Sequence, residues 1–154
     1  RQVELFFLGN FPRHGAIRPR QMRVLGMQPF RQAMKIMAEL DIGYLPYWFD
    51  AKHELVARTS FPGKMSAYAA AGLAIFHHAP VYSEGTSFLR THGFGVSCAS
   101  HDTGSIAGAL LATACMIGDP SIAAMRERAL AQELSAPAMQ KRLETFLSSA
   151  VSDK

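Results

Sequence analysis

Long apolar runs are missing from this 154-residue chain. The longest candidate, residues 67–76, is interrupted by Gly72 and falls well short of the roughly 18 apolar residues a membrane span needs. Cysteine is scarce. Cys98 and Cys115 stand 17 positions apart, which fits neither a disulfide scaffold nor a metal knuckle and points to a reducing compartment. Charged residues make up only 18% against 49% hydrophobic, and that balance excludes a disordered chain. A charged leader followed by a long apolar stretch and a small-residue cleavage site is also lacking. The chain runs from Arg1 straight into an apolar stretch at Val3 and reads as a piece of something longer. No Gly-x-Ser-x-Gly elbow is present, which disfavours an α/β-hydrolase. No Gly-x-Gly-x-x-Gly follows the first apolar run, which disfavours a dinucleotide-binding dehydrogenase.

What is present is unevenly arranged. Residues 1–35 carry seven basic groups, Arg1, Arg13, Arg18, Arg20, Arg23, Arg31 and Lys35, against the single acid Glu4. The rest of the chain is slightly acidic. The basic end suits phosphate, anionic lipid or a partner, or is simply a solvated loop. It contains no recognisable nucleic-acid module.

Short apolar runs alternate with helical patterns. Strands are expected at Val3–Leu8, Met22–Leu25, Ile42–Leu45, Leu73–Phe76 and Phe94–Ser97, each near a Gly or Pro that breaks it. A loop is expected over 9–21 and an aromatic-rich connection over 47–60. Pro29 suits a first helical position, with Phe30, Ala33, Met34 and Met37 on one face of the helix that follows. Met65–Ala71 reads as a helix stopped by Gly72, and Ser87–Arg90 as part of a short one. Asp102 is an N-cap for a helix burying Ile106, Leu110 and Ala114. Asp119-Pro120 starts another, with Ile122, Met125 and Ala129 inward. Ser135 with Pro137 opens the last, whose apolar stripe is Met139, Leu143, Phe146, Leu147 and Ala150. The alternation predicts an α/β fold: a Rossmann-like parallel sheet with helices on both faces over residues 1–150, then a tail at 151–154. Right-handed crossovers put ligand sites at the carboxyl ends of such strands.

Phe61-Pro62-Gly63-Lys64-Met65-Ser66 is the most informative stretch. Gly63 permits close backbone approach, the first helical N–H groups are unpaired, and Lys64 adds positive charge at the same end. This is either an anion site or a lysine on a surface turn. It is no P-loop, which needs Gly at Arg58 and Ser or Thr at Met65. His77 and His78 follow each other on a strand and face opposite sides, so they do not chelate one metal. One of them lines the strand end, and the other is packed or solvated. His14, His53, His92 and His101 have no ligand spacing, and no metal site is expected. Cys98 has no basic neighbour and reads as an inert buried thiol. Tyr44, Tyr47, Trp48 and Phe49 could stack on a base or sugar ring, or pack in the core.

Several of these segments resemble the carboxyl-terminal, nucleotide-sugar-binding domain of GT-B fold glycosyltransferases of the group 1 type. Asp41-Ile42-Gly43-Tyr44-Leu45-Pro46 is similar to that domain's D-hydrophobic-G-hydrophobic-hydrophobic-P strand. The run from Ser60 to Gly72 is similar to its Pro-Ser-Lys…Glu-Tyr…Ala-Gly segment. Gly93-Phe94-Gly95-Val96 resembles its later glycine-bracketed strand, and Asp119-Pro120 has a counterpart there too. The resemblance covers residues 41–150, and more weakly 3–40.

It implies the donor-binding half of an enzyme that moves a sugar from a nucleotide diphosphate sugar to a glycan or lipid-linked acceptor. Lys64 would contact the diphosphate, with Gly63, Met65 and Ser66 beside it. The loop Ala79–Ser83, including Pro80, Tyr82 and Ser83, would close over the nucleotide or sugar. Tyr44 and Tyr47 would lie near the base or the cleft mouth. No catalytic residue is assigned. The donor is a substrate and no further cofactor, metal or nucleic acid is implied. The setting would be cytoplasmic, or peripheral at the inner face of a membrane. Many relatives carry two glutamates with seven residues between them, the second holding the ribose. Thr59 and Ala67 occupy those positions here, which favours the alternative of a degenerate, non-catalytic module used for assembly or nucleotide binding. The domain's central first strand would lie upstream of Arg1, with the acceptor-binding domain. That predicts a rearranged sheet, a strand from another chain, or an exposed edge prone to homo-oligomerisation.

Overall fold

The computed structural model describes residues 3–10 and 21–152, apart from the side chains of residues 149–152. Most of the basic end, including Arg1, Arg13, Arg18 and Arg20, lies outside the described residues, as does most of the expected loop over 9–21. The chain is α/β and forms two compact units, Arg1–Glu39 and Leu40–Lys154.

In the first unit, β1 (Leu5–Leu8) pairs in parallel with β2 (Met22–Gly26), Leu5 opposite Met22. Gly26 ends β2 at φ +70°, a conformation with little cost only for glycine. α1 (Phe30–Met37) follows, with Pro29 as its N-cap rather than its first residue. Ala33, Met34 and Met37 are half-buried as expected. Phe30 is 73% exposed, because it occupies the first helical position, at the margin of the stripe.

In the second unit, β3 (Ile42–Pro46), β4 (Ala74–His78) and β5 (Gly95–Cys98) form a parallel sheet in the order β3-β4-β5. Ile42 lies opposite Ala74, and Ile75 opposite Gly95. The five strands thus form two sheets rather than one. Among the described residues, β3 pairs on one side only.

The expected connection 47–60 holds a 3₁₀ turn at Ala51–His53 and the short helix α2 (Glu54–Thr59). Asp50 caps the turn, accepting from the His53 amide at 3.1 Å. The aromatic residues of 47–49 obscured this helix, whose own stretch is only six residues long. α3 (Gly63–Ala70) begins two residues earlier than expected. Gly72 then breaks the chain at φ +86°. α4 is Glu84–His92, α5 Thr103–Cys115, α6 Pro120–Ala129 and α7 Ala136–Ser152; a π-helical turn, Leu130–Leu134, joins the last two. Asp102 and Asp119 cap α5 and α6 as expected, each accepting at 2.8 Å from an amide in the first turn. The Ser135 hydroxyl caps α7 through the Ala138 amide.

The core is a cluster of Leu45, Met65, Ala69, Ile75, Leu89, Phe94, Ala129 and Leu134. Leu45 and Ile75 come from the sheet, and the helices α3, α4 and α6 and the π turn supply most of the rest. The sheet accepts α3 closely because Gly43 has no side chain: a Cβ there would stand 2.5 Å from the Tyr68 ring. β4 is buried along its whole length, so both of its faces are covered, and α5 packs on β4 and β5. This is a Rossmann-like arrangement of parallel strands between helices.

Two apolar stripes come out differently. Met139, Leu143, Phe146 and Leu147 of α7 are about half to two-thirds exposed. That helix packs against the adjoining π turn, and this part of its stripe stays largely exposed. The Ala150 side chain lies outside the described residues. Met125 of α6 is 42% exposed, at the rim where Gly93 passes it.

Candidate functional site

In a parallel sheet each crossover helix returns antiparallel to the strands, so its amino end lies at the carboxyl edge. That edge is fixed here by ladder bonds running past the strands: Tyr47 N–H to the His78 carbonyl at 2.9 Å, and Ala79 N–H to the Cys98 carbonyl at 3.0 Å. α3, α4 and α5 all start there.

The two histidines of β4 do face opposite sides, and both are buried. His77 Nδ1 lies 3.0 Å from the Leu45 carbonyl, which only accepts, so Nδ1 carries the proton of the neutral ring. Its Nε2 then accepts from the Ser83 hydroxyl at 3.1 Å. Desolvation holds the His77 pKa below the ordinary histidine value, with the neighbouring His78 adding to the effect. His78 takes the other tautomer: Nε2 donates to the Ser100 carbonyl at 2.8 Å, and Nδ1 accepts from the Tyr44 hydroxyl at 3.1 Å. Burial, then the nearby Cys98, raises the Tyr44 phenol above its ordinary value.

An aromatic shelf extends from this pair. Phe49 lies 5.0 Å from the His78 ring and 4.2 Å from that of His101. Trp48 lies 4.9 Å from Tyr47 and stacks on His53 at 5.1 Å. His53 is in turn held by Asp50 at 2.6 Å.

The structure brings most of the expected site residues to this edge. Gly63 and Lys64 form the exposed first turn of α3, and Lys64 has no ion pair among the described residues. Ser66 is half-buried two positions further on. Pro62 and Gly85 abut, since a Cβ on Gly85 would stand 2.9 Å from Pro62 and 2.7 Å from His77 Nε2. The amino ends of α3 and α4 therefore meet over His77. Neither has a side-chain cap, whereas the Asp102 carboxylate occupies that of α5. Glu84 is exposed in the first turn of α4. Tyr82 packs under the Arg58 guanidinium, 4.3 Å from its ring centroid. Tyr47 directs its hydroxyl to the Ser60 carbonyl at 3.1 Å and its ring toward His77 at 6.0 Å. Tyr44 leaves 46% of its surface exposed.

Three expected contacts are already engaged. Met65 is a core residue, and its amide donates to the Pro62 carbonyl at 2.9 Å. It has no N–H to offer a ligand, because the helix begins at Gly63. The Ser83 hydroxyl is held by His77 in a buried position, and the buried Pro80 carbonyl accepts from the Ser83 amide. Cys98 is buried, with its thiol 3.7 Å from the Ser100 carbonyl.

Sequence reasoning missed the His77–Ser83 pair and the places of Arg58 and His101. The His-His dipeptide was the only local signal, since the partners come from a different strand or helix. A cleft of about 280 Å³ at the opposite, amino edge is lined by Asp41, Gly72, Asp119 and Arg126 among others. No family model, curated protein or solved structure matches the chain.

Proposed function

We propose that residues 40–154 form the donor-side half of a GT-B type glycosyltransferase, binding a nucleotide diphosphate sugar at the carboxyl edge of β3-β4-β5. The observation that carries this reading is the meeting of two uncapped helix starts, α3 and α4, beside the ammonium of Lys64, which has no ion pair among the described residues. Helix amino ends present N–H groups and partial positive charge, which favour an anion, and a lysine adds a full charge. As a glycosidic bond to a diphosphate breaks, negative charge grows on the leaving group. Fixed donors at that point stabilise the transition state more than the ground state. Trp48 and Tyr44, each 46% exposed, offer ring faces to a base or sugar. The sugar would come from the nucleotide and pass to a glycan or lipid-linked acceptor.

One observation favours the second reading, a nucleotide-binding module without turnover. Thr59 directs its hydroxyl back to the Leu55 carbonyl at 2.8 Å, and Ala67 carries no polar group. Neither holds a ribose as a glutamate would.

Titration calorimetry with uridine and guanosine diphosphates tests both readings. A diphosphate is expected to bind about tenfold more tightly than its monophosphate, a difference of about 1.4 kcal/mol. NMR shifts on binding should centre on the Gly63, Lys64 and Ser66 amides. Equal affinity for the two, or shifts confined to another edge, would rule the assignment out. Binding without sugar transfer in a full-length enzyme would select the second reading.

A further inference from the structure

We propose that His77 is a pH-sensitive clasp on the amino end of α4: neutral, it ties the Ala79–Ser83 turn to β3, and protonated, it releases that turn. The inference goes beyond the nucleotide reading and does not depend on it.

Neutral His77 bridges two segments. Its Nδ1–H donates to Leu45 of β3, and its Nε2 accepts from Ser83, the residue that starts α4. The ring is fully buried, and its Nε2 lies against Gly85, where a Cβ would stand 2.7 Å from it. A proton on Nε2 turns that acceptor into a donor. The Ser83 hydroxyl can keep that contact only by turning to accept, which leaves its own proton without its former acceptor, at a helix end that is already positive.

Among the described residues no counter-charge bonds to the ring; the buried Ser97 hydroxyl, which has no hydrogen-bond partner among them, is a neutral acceptor. The Tyr47 phenol faces it from the loop after β3, and His78 follows it on β4. Ser97 of β5 lies in register with it. Pro62, just before α3, lies against Gly85, and Lys64 beyond it is exposed. From α4 the contacts are Ser83 and Gly85, and the carboxylate nearest in sequence, Glu84, is exposed. Among the described residues no carboxylate bonds to His77. An uncompensated buried charge is relieved by admitting water, and the turn is the weakest wall. It is held by Ser83 N–H to the Pro80 carbonyl at 3.0 Å and by Thr86 Oγ1 to the same carbonyl at 3.2 Å, with Val81 73% exposed.

The sign is fixed by the direction of the shift. Burial lowers the folded value below that of the unfolded chain, about 6.5. The stabilisation is therefore complete above about pH 6.5 and is lost as pH falls from there toward the folded value.

Amide exchange and histidine NMR on the whole chain test the clasp. Protection factors, corrected for intrinsic exchange, are followed at the Ser83 and Ser87 amides from about pH 7.5 downward. They are expected to fall by about tenfold or more with a midpoint that coincides with the titration of the His77 ring itself. Amides of α5 serve as the control, since hydrogen bonds from the Ser105 amide and hydroxyl hold its Asp102 cap below the ordinary carboxylate range. Glu84→Gln should keep the response, and His77→Gln should flatten it. Protection that stays constant through the His77 midpoint in the wild-type chain would overturn the proposal. So would a response that vanishes in Glu84→Gln. The wild-type titration decides the matter even if His77→Gln does not fold.

Discussion

Phe94→Ala is expected to destabilise the chain by about 3–5 kcal/mol, the range for emptying a large aromatic site in a packed core. Phe94 has no exposed surface, belongs to the core cluster and meets the edge of Phe88 at 6.0 Å. The residues around it come from strands, helices and the π turn, so they cannot all collapse into the space left behind. Such a loss is a large fraction of the roughly 5–15 kcal/mol that holds a domain together. Urea denaturation, monitored by fluorescence of Trp48 and by circular dichroism, gives the number. Leu143→Ala is the contrast. That side chain is 57% exposed on α7, and its loss should cost less than about 1 kcal/mol. A cost for Phe94→Ala below about 1 kcal/mol would mean that the α3-α4-α6 layer is not packed on the sheet.

Lys64→Ala is expected to weaken binding of a nucleoside diphosphate by about 1.5–3 kcal/mol, the value of a charge-assisted hydrogen bond. That corresponds to roughly 10–150-fold in affinity. The residue is exposed, so salt will move the loss toward the lower end of that range. For the same reason stability should hardly change, which separates a binding role from a structural one. Lys64→Arg should retain most of the affinity, since the charge stays at the helix end. Unchanged affinity in Lys64→Ala would remove the phosphate assignment and leave the clasp proposed for His77 untouched.

The elements that were legible are those whose signals are local. Asp102 and Asp119-Pro120 mark helix starts because their side chains bond to amides two or three residues on. Gly72 marks a stop because few other residues adopt its φ. α2 was hidden because six residues carry too little periodicity to register. The exposure of the α7 stripe was not legible for a different reason. A 3.6-residue repeat says that a helix has an apolar face, and says nothing about whether another element reaches it.

The site divides along the same line. That Gly63 and Lys64 stand at the start of a helix could be read from Phe61 to Gly72, though the helix itself begins two residues before the expected Met65. That the start of α4 meets it could not, since Pro62 and Gly85 are 23 positions apart and touch only because β4 carries the chain between them. From its sequence alone this chain determined the order of its strands and helices, most of their ends and the basic residue at the start of α3, all set by neighbours within a few positions. The tertiary structure alone decided that the strands form two sheets, that Ser83 is bound to a buried histidine rather than free, and that Met65 lies in the core. Burial and hydrogen-bond partnership depend on distances between segments that no local pattern encodes.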